Sequence, residues 1–342
     1  MSREKRAGLR RKVSMLRLSW VLPFLAGGCV SVSLDLSLRD DTNSCAVELI
    51  VLGAGQDAGA PQIGNHNDPA WNAPELKLFA TSLGIVDHRA SQRFLFEATP
   101  HITDQLHLFD QRIPSHRGDG ALDGVFVTHA HIGHYAGLMF FGREAAGAAQ
   151  IPVYTMPRLA NYLRENGPWE QLVALENISI NVLADQAPIA LTPRASVTPL
   201  RVPHRDEYSE TVGFIIEVSA RETSKRVLFI PDIDDWDEWT HEFGHSIESL
   251  VAGVDYAFVD ATFFDDDELP GRDMSKIPHP RVSDTMMRLR ALPSDIRAGV
   301  HFIHYNHTNP IRFKNSPETQ QVESLGFKVA RRGDLHCLDE ND

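Results

Sequence analysis

Cysteine is scarce in this chain. Cys29, Cys45 and Cys337 are the only three among 342 residues, and no Cys-x-x-Cys pair exists. That excludes a cysteine-rich structural zinc site. Basic residues are also short: 33 Lys and Arg stand against 46 Asp and Glu, for a net charge of −13. Met1–Arg17 alone carries about +6, which leaves about −19 for the remainder. Such a balance excludes a general nucleic-acid surface, because phosphate binding needs an excess of Lys and Arg. The apolar stretch Leu18–Ala26 is too short for a comfortable membrane span. No internal repeat is visible as sequence identity, and no segment is of low complexity. Gly53-Ala54-Gly55-Gln56-Asp57-Ala58 only loosely matches a dinucleotide fingerprint, and a loop rather than a helix follows it. A doubly wound nucleotide-binding fold is thereby disfavoured.

The N-terminus reads as separate from the fold. A basic stretch (Arg3, Lys5, Arg6, Arg10, Arg11, Lys12, Arg17) leads into Leu18–Ala26 and then Gly27-Gly28-Cys29. This is the layout of a secretory signal over 1–29. Leu25-Ala26-Gly27-Gly28-Cys29 is also similar to a lipobox, which would lipidate Cys29 and attach the protein to a membrane. Export is the expected fate, to the periplasm or as an anchored lipoprotein, with a cytoplasmic protein as the alternative. Residues 30–46 read as a linker, 47–335 as one domain and 336–342 as a tail. Cys45 and Cys337 flank the expected strands. A bridge between them requires that those strands meet in space and that the protein is exported. Cysteines so far apart are otherwise free.

Apolar periodicity places strands at 47–52, 82–86, 93–97, 122–127, 152–154, 178–183, 196–202, 211–218, 226–230, 256–259, 300–303 and 328–330. Helices are expected at 102–109, 135–141, 157–166, 236–243, 282–292 and 317–324. Strands come in consecutive pairs and then alternate with helices. That order fits an α/β (α+β) protein built as a four-layer αββα sandwich of two mixed sheets.

Histidine is abundant where chemistry is concerned. Thr128-His129-Ala130-His131-Ile132-Gly133-His134 sets three imidazoles into six residues, directly after a buried strand. Imidazole is the commonest protein ligand for zinc-like ions. Four later strands each deliver a ligand-type residue at or just beyond their C-terminal end: His204, Asp232, Asp260, and the pair His304 and His307. The carboxyl ends of strands in an open sheet face one crevice, where sites collect. Imidazoles and a carboxylate meeting there bind Zn²⁺ or Fe²⁺. Asp232 has a rival duty as the cap of the helix near Trp236, but Asp234 and Asp235 are better placed for it. Asp260 and His304 are expected to support the ligands from behind. Tyr135 is expected to pack its helix. Asp265-Asp266-Asp267-Glu268 reads as a solvated acidic loop. His66, His101, His107, His116, His241 and His245 have no motif support.

The order Thr-His-Ala-His-x-x-His, a lone His, a strand-end Asp and a late His resembles the metallo-β-lactamase superfamily over roughly Val47 to Ala330. Val51–Gly55, Gly59-Ala60-Pro61-Gln62, Asp260–Glu268 and His307-Thr308-Asn309-Pro310 make it similar to the pyrroloquinoline quinone biosynthesis protein B group within that superfamily. The resemblance implies that His129, His131 and His204 hold a first metal, completed or bridged by Asp232, with His134 and His307 at a second position. The superfamily usually has Asp where this chain has Gly133. One tight Zn²⁺ and a weak or absent second ion are therefore expected, and Gly133→Asp is expected to restore the second. The quinone group's cysteine-rich loop is replaced here by Ile63-Gly64-Asn65-His66-Asn67.

The function this implies is a metallo-hydrolase. Metal-bound hydroxide would attack an ester, lactone, amide or phosphodiester of a small molecule, with Asp232 as the catalytic residue that orients the nucleophile. One alternative is an Fe²⁺-dependent oxidoreductase related to quinone cofactor biosynthesis. The other is a non-catalytic metal binder. No cofactor-binding segment beyond the metal ligands is read, no nucleic-acid partner is expected, and neither substrate nor oligomeric state is legible.

Overall fold

The computed structural model describes residues 45–114, 122–205, 207–219 and 224–339. The expected leader, Cys29 and most of the linker lie outside the described residues, as does His116. Among the described residues no helix is long and apolar enough to cross a membrane.

Fourteen strands are found among the described residues: β1 Val47–Gly53, β2 Ser82–Asp87, β3 Gln92–Phe96, β4 Gly124–Phe126, β5 Ile151–Thr155, β6 Ile178–Val182, β7 Ile189–Ala190, β8 Ala195–Arg201, β9 Val212–Ser219, β10 Ser224–Ile230, β11 Tyr256–Asp260, β12 Val300–Ile303, β13 Lys328–Val329 and β14 Leu335–Cys337. They form two seven-stranded sheets, ordered β14-β1-β2-β3-β4-β5-β6 and β13-β12-β11-β10-β9-β8-β7. Helices α1 Ile102–Arg112, α2 Ile132–Tyr135, α3 Pro157–Glu165 and α4 Trp169–Ala174 follow strands of the first half. Helices α5 Trp236–Phe243, α6 Ile247–Ala252, α7 Val282–Leu289, α8 Ser294–Ala298 and α9 Pro317–Ser324 belong to the second. This is the expected αββα sandwich.

Side-chain alternation explains the layers. Along β1, Val47, Leu49 and Val51 join the large core between the sheets, while Ile50 and Leu52 join a second core on the opposite face. In β3, Phe94 and Phe96 point into the first core and Leu95 into the second. A strand buried on both faces has no polar side, so it reads as an unbroken apolar run. Between the sheets, Phe96 stacks on Phe126 at 4.9 Å and meets Phe214 edge-on at 5.5 Å.

The sheets share one internal plan. In each, the first pairings are antiparallel and the later ones parallel: β1–β2 and β2–β3, then β3–β4 onward; β8–β9 and β9–β10, then β10–β11 onward. So β1, β3 and β4 run in one common direction, and β8, β10, β11 and β12 in another. This repetition is structural and leaves no trace as sequence identity.

The short elements β7, β14, α4, α6 and α8 were not expected. A two- or three-residue strand carries no periodicity, and α8 buries none of its residues. β14 matters most. It falls largely in the stretch read as a tail, yet it pairs with β1, setting Cys337 opposite Glu48. Cys45 and Cys337 are joined as a disulfide, with Cα atoms 5.7 Å apart. The end of the expected linker is also built in, because Ala46 is buried and its N–H donates to Asp339 O at 3.2 Å.

Candidate metal centre

The crevice is assembled from strand ends. His129, His131 and His134 follow β4, His204 follows β8, Asp232 follows β10, Asp260 closes β11 and His304 follows β12. Four imidazoles aim Nε2 at a single atom, Asp232 Oδ2: His204 at 3.3 Å, His129 at 3.5 Å, His134 at 3.6 Å and His304 at 3.8 Å. His131 enters the other way round, its Nδ1 lying 3.1 Å from His204 Nε2. Ligand atoms of His129, His131, His204 and Asp232 all lie within 4.8 Å of one another, as do those of Asp57, His134 and His304.

Each ring is held from behind. Thr128 Oγ1 lies 2.8 Å from His129 Nδ1 and donates to Glu97 Oε1 at 2.6 Å. His134 Nδ1 is 3.1 Å from the same Glu97 oxygen. His204 Nδ1 is 2.6 Å from Asp234 Oδ1, and His304 Nδ1 is 3.1 Å from Thr262 Oγ1, which donates to Asp260 at 2.8 Å. A proton kept on Nδ1 leaves Nε2 as a lone-pair donor facing the crevice. The Nε2 atoms of His129, His134 and His304 are buried with no hydrogen-bond partner. Orphaned buried nitrogens of this kind need an explanation, and a metal ion supplies one. Ligands about 2.0–2.1 Å from a tetrahedral ion stand roughly 3.3 Å apart, close to the His131–His204 spacing. The residues fit a metal ion.

Electrostatics agree. Burial, with the neighbouring imidazoles adding to it, holds His129 well below its ordinary range, and burial pushes His304 down to about 4, so both are neutral. Burial opposes protonation of His204 as well, but the carboxylates of Asp232 and Asp234 overcome it and carry the ring up to about 10. Burial would raise Asp232, yet the charge of the protonated His204 beside it, above all, holds it well below the carboxylate range. A metal ion entering the crevice must therefore displace the proton that these carboxylates hold on His204.

Several side chains stand where the sequence reading put them. Asp235 caps α5, accepting from the N–H groups of Asp237 and Glu238 at 2.8 Å, which frees Asp232. Asp260 supports from behind, accepting from Thr262 N at 2.7 Å, Ile233 N at 3.1 Å and, from His279 Nδ1, at 3.0 Å. The Tyr135 hydroxyl packs against that of Tyr162, 3.1 Å away. Others are corrected. His304, not His307, enters the crevice. After Tyr305 the backbone turns away, and Arg312 Nη1 donates to His307 O at 2.7 Å while Asn309 Nδ2 donates to Ala261 O at 2.8 Å. Glu97 and Asp57 were not singled out as site residues, although both follow apolar strands in the way Asp232 does. His279, in a proline-flanked loop, was missed outright; its Nδ1 is 3.4 Å from Asp232 Oδ1.

Part of the acidic loop is also structural. Glu268 accepts from Phe264 N at 2.6 Å and from Thr308 Oγ1, tying this loop to the turn beyond His304. Burial pushes its pKa from 4.5 up to about 7. The folded state therefore binds the proton more tightly, so this stabilisation is complete below about pH 4.5 and is lost as pH rises through 7. Glu268→Gln is expected to match the parent in acid and to gain about 1–2 kcal/mol near pH 8, after discounting for partial exposure. Urea midpoints at the two pH values check this; equal midpoints at pH 8 would remove the claim.

A family model described as the beta-lactamase superfamily domain matches residues 92–305. The chain belongs to the beta-lactamase superfamily. It is 24% identical over 311 residues to a coenzyme PQQ synthesis protein B of Methylorubrum populi, covering 84% of this chain and 98% of that one. Solved structures share the architecture. Zn(2+)-bound PqqB from Methylobacterium extorquens aligns with a TM-score of 0.68 at 21% identity, over 84% of this chain and 99% of that chain. A diphosphatase from the PhnP family aligns at 0.54 with 18% identity, over 85% and 96%.

Proposed function

We propose that this superfamily member is a metal-dependent hydrolase of small molecules. The observation that carries the reading is the set of Nε2 atoms converging on Asp232 Oδ2. A bound ion, with zinc best suited to a nitrogen-rich set, would supply Lewis acidity and a water whose pKa falls from ~16 toward ~7. His129, His131, His204 and Asp232 would hold it. Asp232 lies at the centre, where its carboxylate can orient the attacking water and accept its proton. His279, hydrogen-bonded to Asp260, brings its Nδ1 within 3.4 Å of Asp232 Oδ1. Carboxylates outnumber cations at the mouth: Glu207 reaches within 3.4 Å of His131 Nε2, and a recess of about 220 Å³ beside His204 is lined by Glu210, Asp234, Glu238 and Glu242 against Arg201. That charge favours a neutral or cationic ester, lactone, amide or thioester over a polyanion.

The test is His131→Ala, assayed on lactones, β-lactams, thioesters and phosphodiesters. Metal content and turnover are expected to fall together. Turnover that survives metal stripping would overturn the reading. An iron-dependent oxidation is the second reading, favoured by the similarity to a quinone-cofactor synthesis protein; oxygen uptake by protein loaded with Fe²⁺ without air separates the two. Full metal occupancy without turnover would point to a binding protein. The Cys45–Cys337 bridge supports export, since such bridges persist in oxidising compartments. Membrane attachment through Cys29 belongs to the same proposal.

A further inference from the structure

Gly133 stands where the resemblance leads one to expect an aspartate, and the structure shows what occupies that space. A Cβ built on Gly133 would lie 2.3 Å from Asp57 Cα and 2.5 Å from Asp57 Oδ1. The carboxylate of Asp57 thus sits where a side chain from position 133 would project. Its Oδ1 is 3.8 Å from His134 Nε2, and its ligand atom groups with those of His134 and His304 within 4.8 Å. The two imidazoles are buried, and their Nε2 atoms have no hydrogen-bond partner.

Backbone pairing brings Asp57 there. The chain leaving β1 lies beside the chain leaving β12: Gln56 N donates to Tyr305 O at 3.0 Å and Tyr305 N to Ala54 O at 3.1 Å. Asp57 and His304 flank this pairing, and both have positive φ, at 40° and 66°. Left-handed backbone at two non-glycine residues is a strained arrangement, of the kind that persists where the surrounding structure enforces it. Here it turns a carboxylate and an imidazole toward one point.

We propose that Asp57 supplies the acidic ligand that position 133 lacks, so that Asp57, His134 and His304, with Asp232 shared, form a second divalent-cation site. Gly133 is then required, because any side chain there displaces the Asp57 turn. The ligand has moved from one loop to another while its carboxylate stays in place. This rests on the metal-centre reading above, and it replaces the expectation of a weak or absent second ion. It also reverses the expectation for Gly133→Asp, which collides with Asp57 rather than restoring a ligand.

The experiment measures zinc per full-length chain by elemental analysis after dialysis against buffered Zn²⁺, alongside thermal melts. The parent is expected to hold two equivalents. Asp57→Ala should hold one and melt as a folded protein, since Asp57 is partly exposed. Gly133→Ala should also lose the second equivalent although Asp57 is intact. Two equivalents in Asp57→Ala, or in Gly133→Ala, overturn the proposal. One equivalent in both parent and Asp57→Ala overturns it and leaves the metal centre standing. No zinc in the parent removes both.

Discussion

Asp232→Ala is expected to strip metal from the whole centre, not from one position. The side chain is buried, and its Oδ2 lies within 3.8 Å of four imidazole nitrogens. Removing it takes away the one negative charge common to both groups of ligands. Loss of an outer hydrogen-bonding partner already costs about 10–100-fold in metal affinity, and loss of a shared direct ligand must exceed that. A second consequence follows from the charges. Asp232 is the main influence carrying His204 above its ordinary pKa, so the variant should release less proton when zinc is added. Elemental analysis and calorimetry in two buffers of different ionisation enthalpy read both effects. Unchanged zinc affinity in a folded Asp232→Ala variant would sink the central role of this carboxylate.

Reduction of the Cys45–Cys337 bridge is expected to destabilise the domain by about 3–5 kcal/mol. The bridge closes a loop of 292 residues, so it restricts nearly the whole unfolded chain. It also secures a weak edge, because β14 is only three residues long. For a domain of this size that loss corresponds to a melting point lower by roughly 5–8 °C. Cys45→Ser should reproduce the effect of reductant, and reductant should then do nothing further. An equal midpoint for oxidised and reduced protein would show that β14 holds without its covalent tie. His129, His131, His204 and Asp232 follow β4, β8 and β10 and should load zinc in either form.

Much of the architecture was legible because burial on both faces makes strands stand out. Helix α5, strand β12 and helix α9 fall on their expected bounds; a capping aspartate marks α5, a proline starts α9, and Gly299 precedes the largely apolar β12. The three histidines after β4 were legible because neighbours in sequence are neighbours in space. His204 and Asp232 were legible because each ends a strand, and parallel strands end together. His304 was harder. His304 and His307 both follow β12, and only the departure of the backbone after Tyr305 decides between them.

Strand order determined the sandwich, and the spacing of the histidines pointed to the residues that the fold gathers around Asp232. They did so because periodicity and local spacing are properties of the chain itself. The Cys45–Cys337 bridge, the support from Glu97 and His279, and the placing of Asp57 against Gly133 were decided only by tertiary structure. Each joins segments separated in sequence, and nothing local in either partner specifies the other. A glycine reads as the absence of a ligand until the fold shows the carboxylate that fills its space.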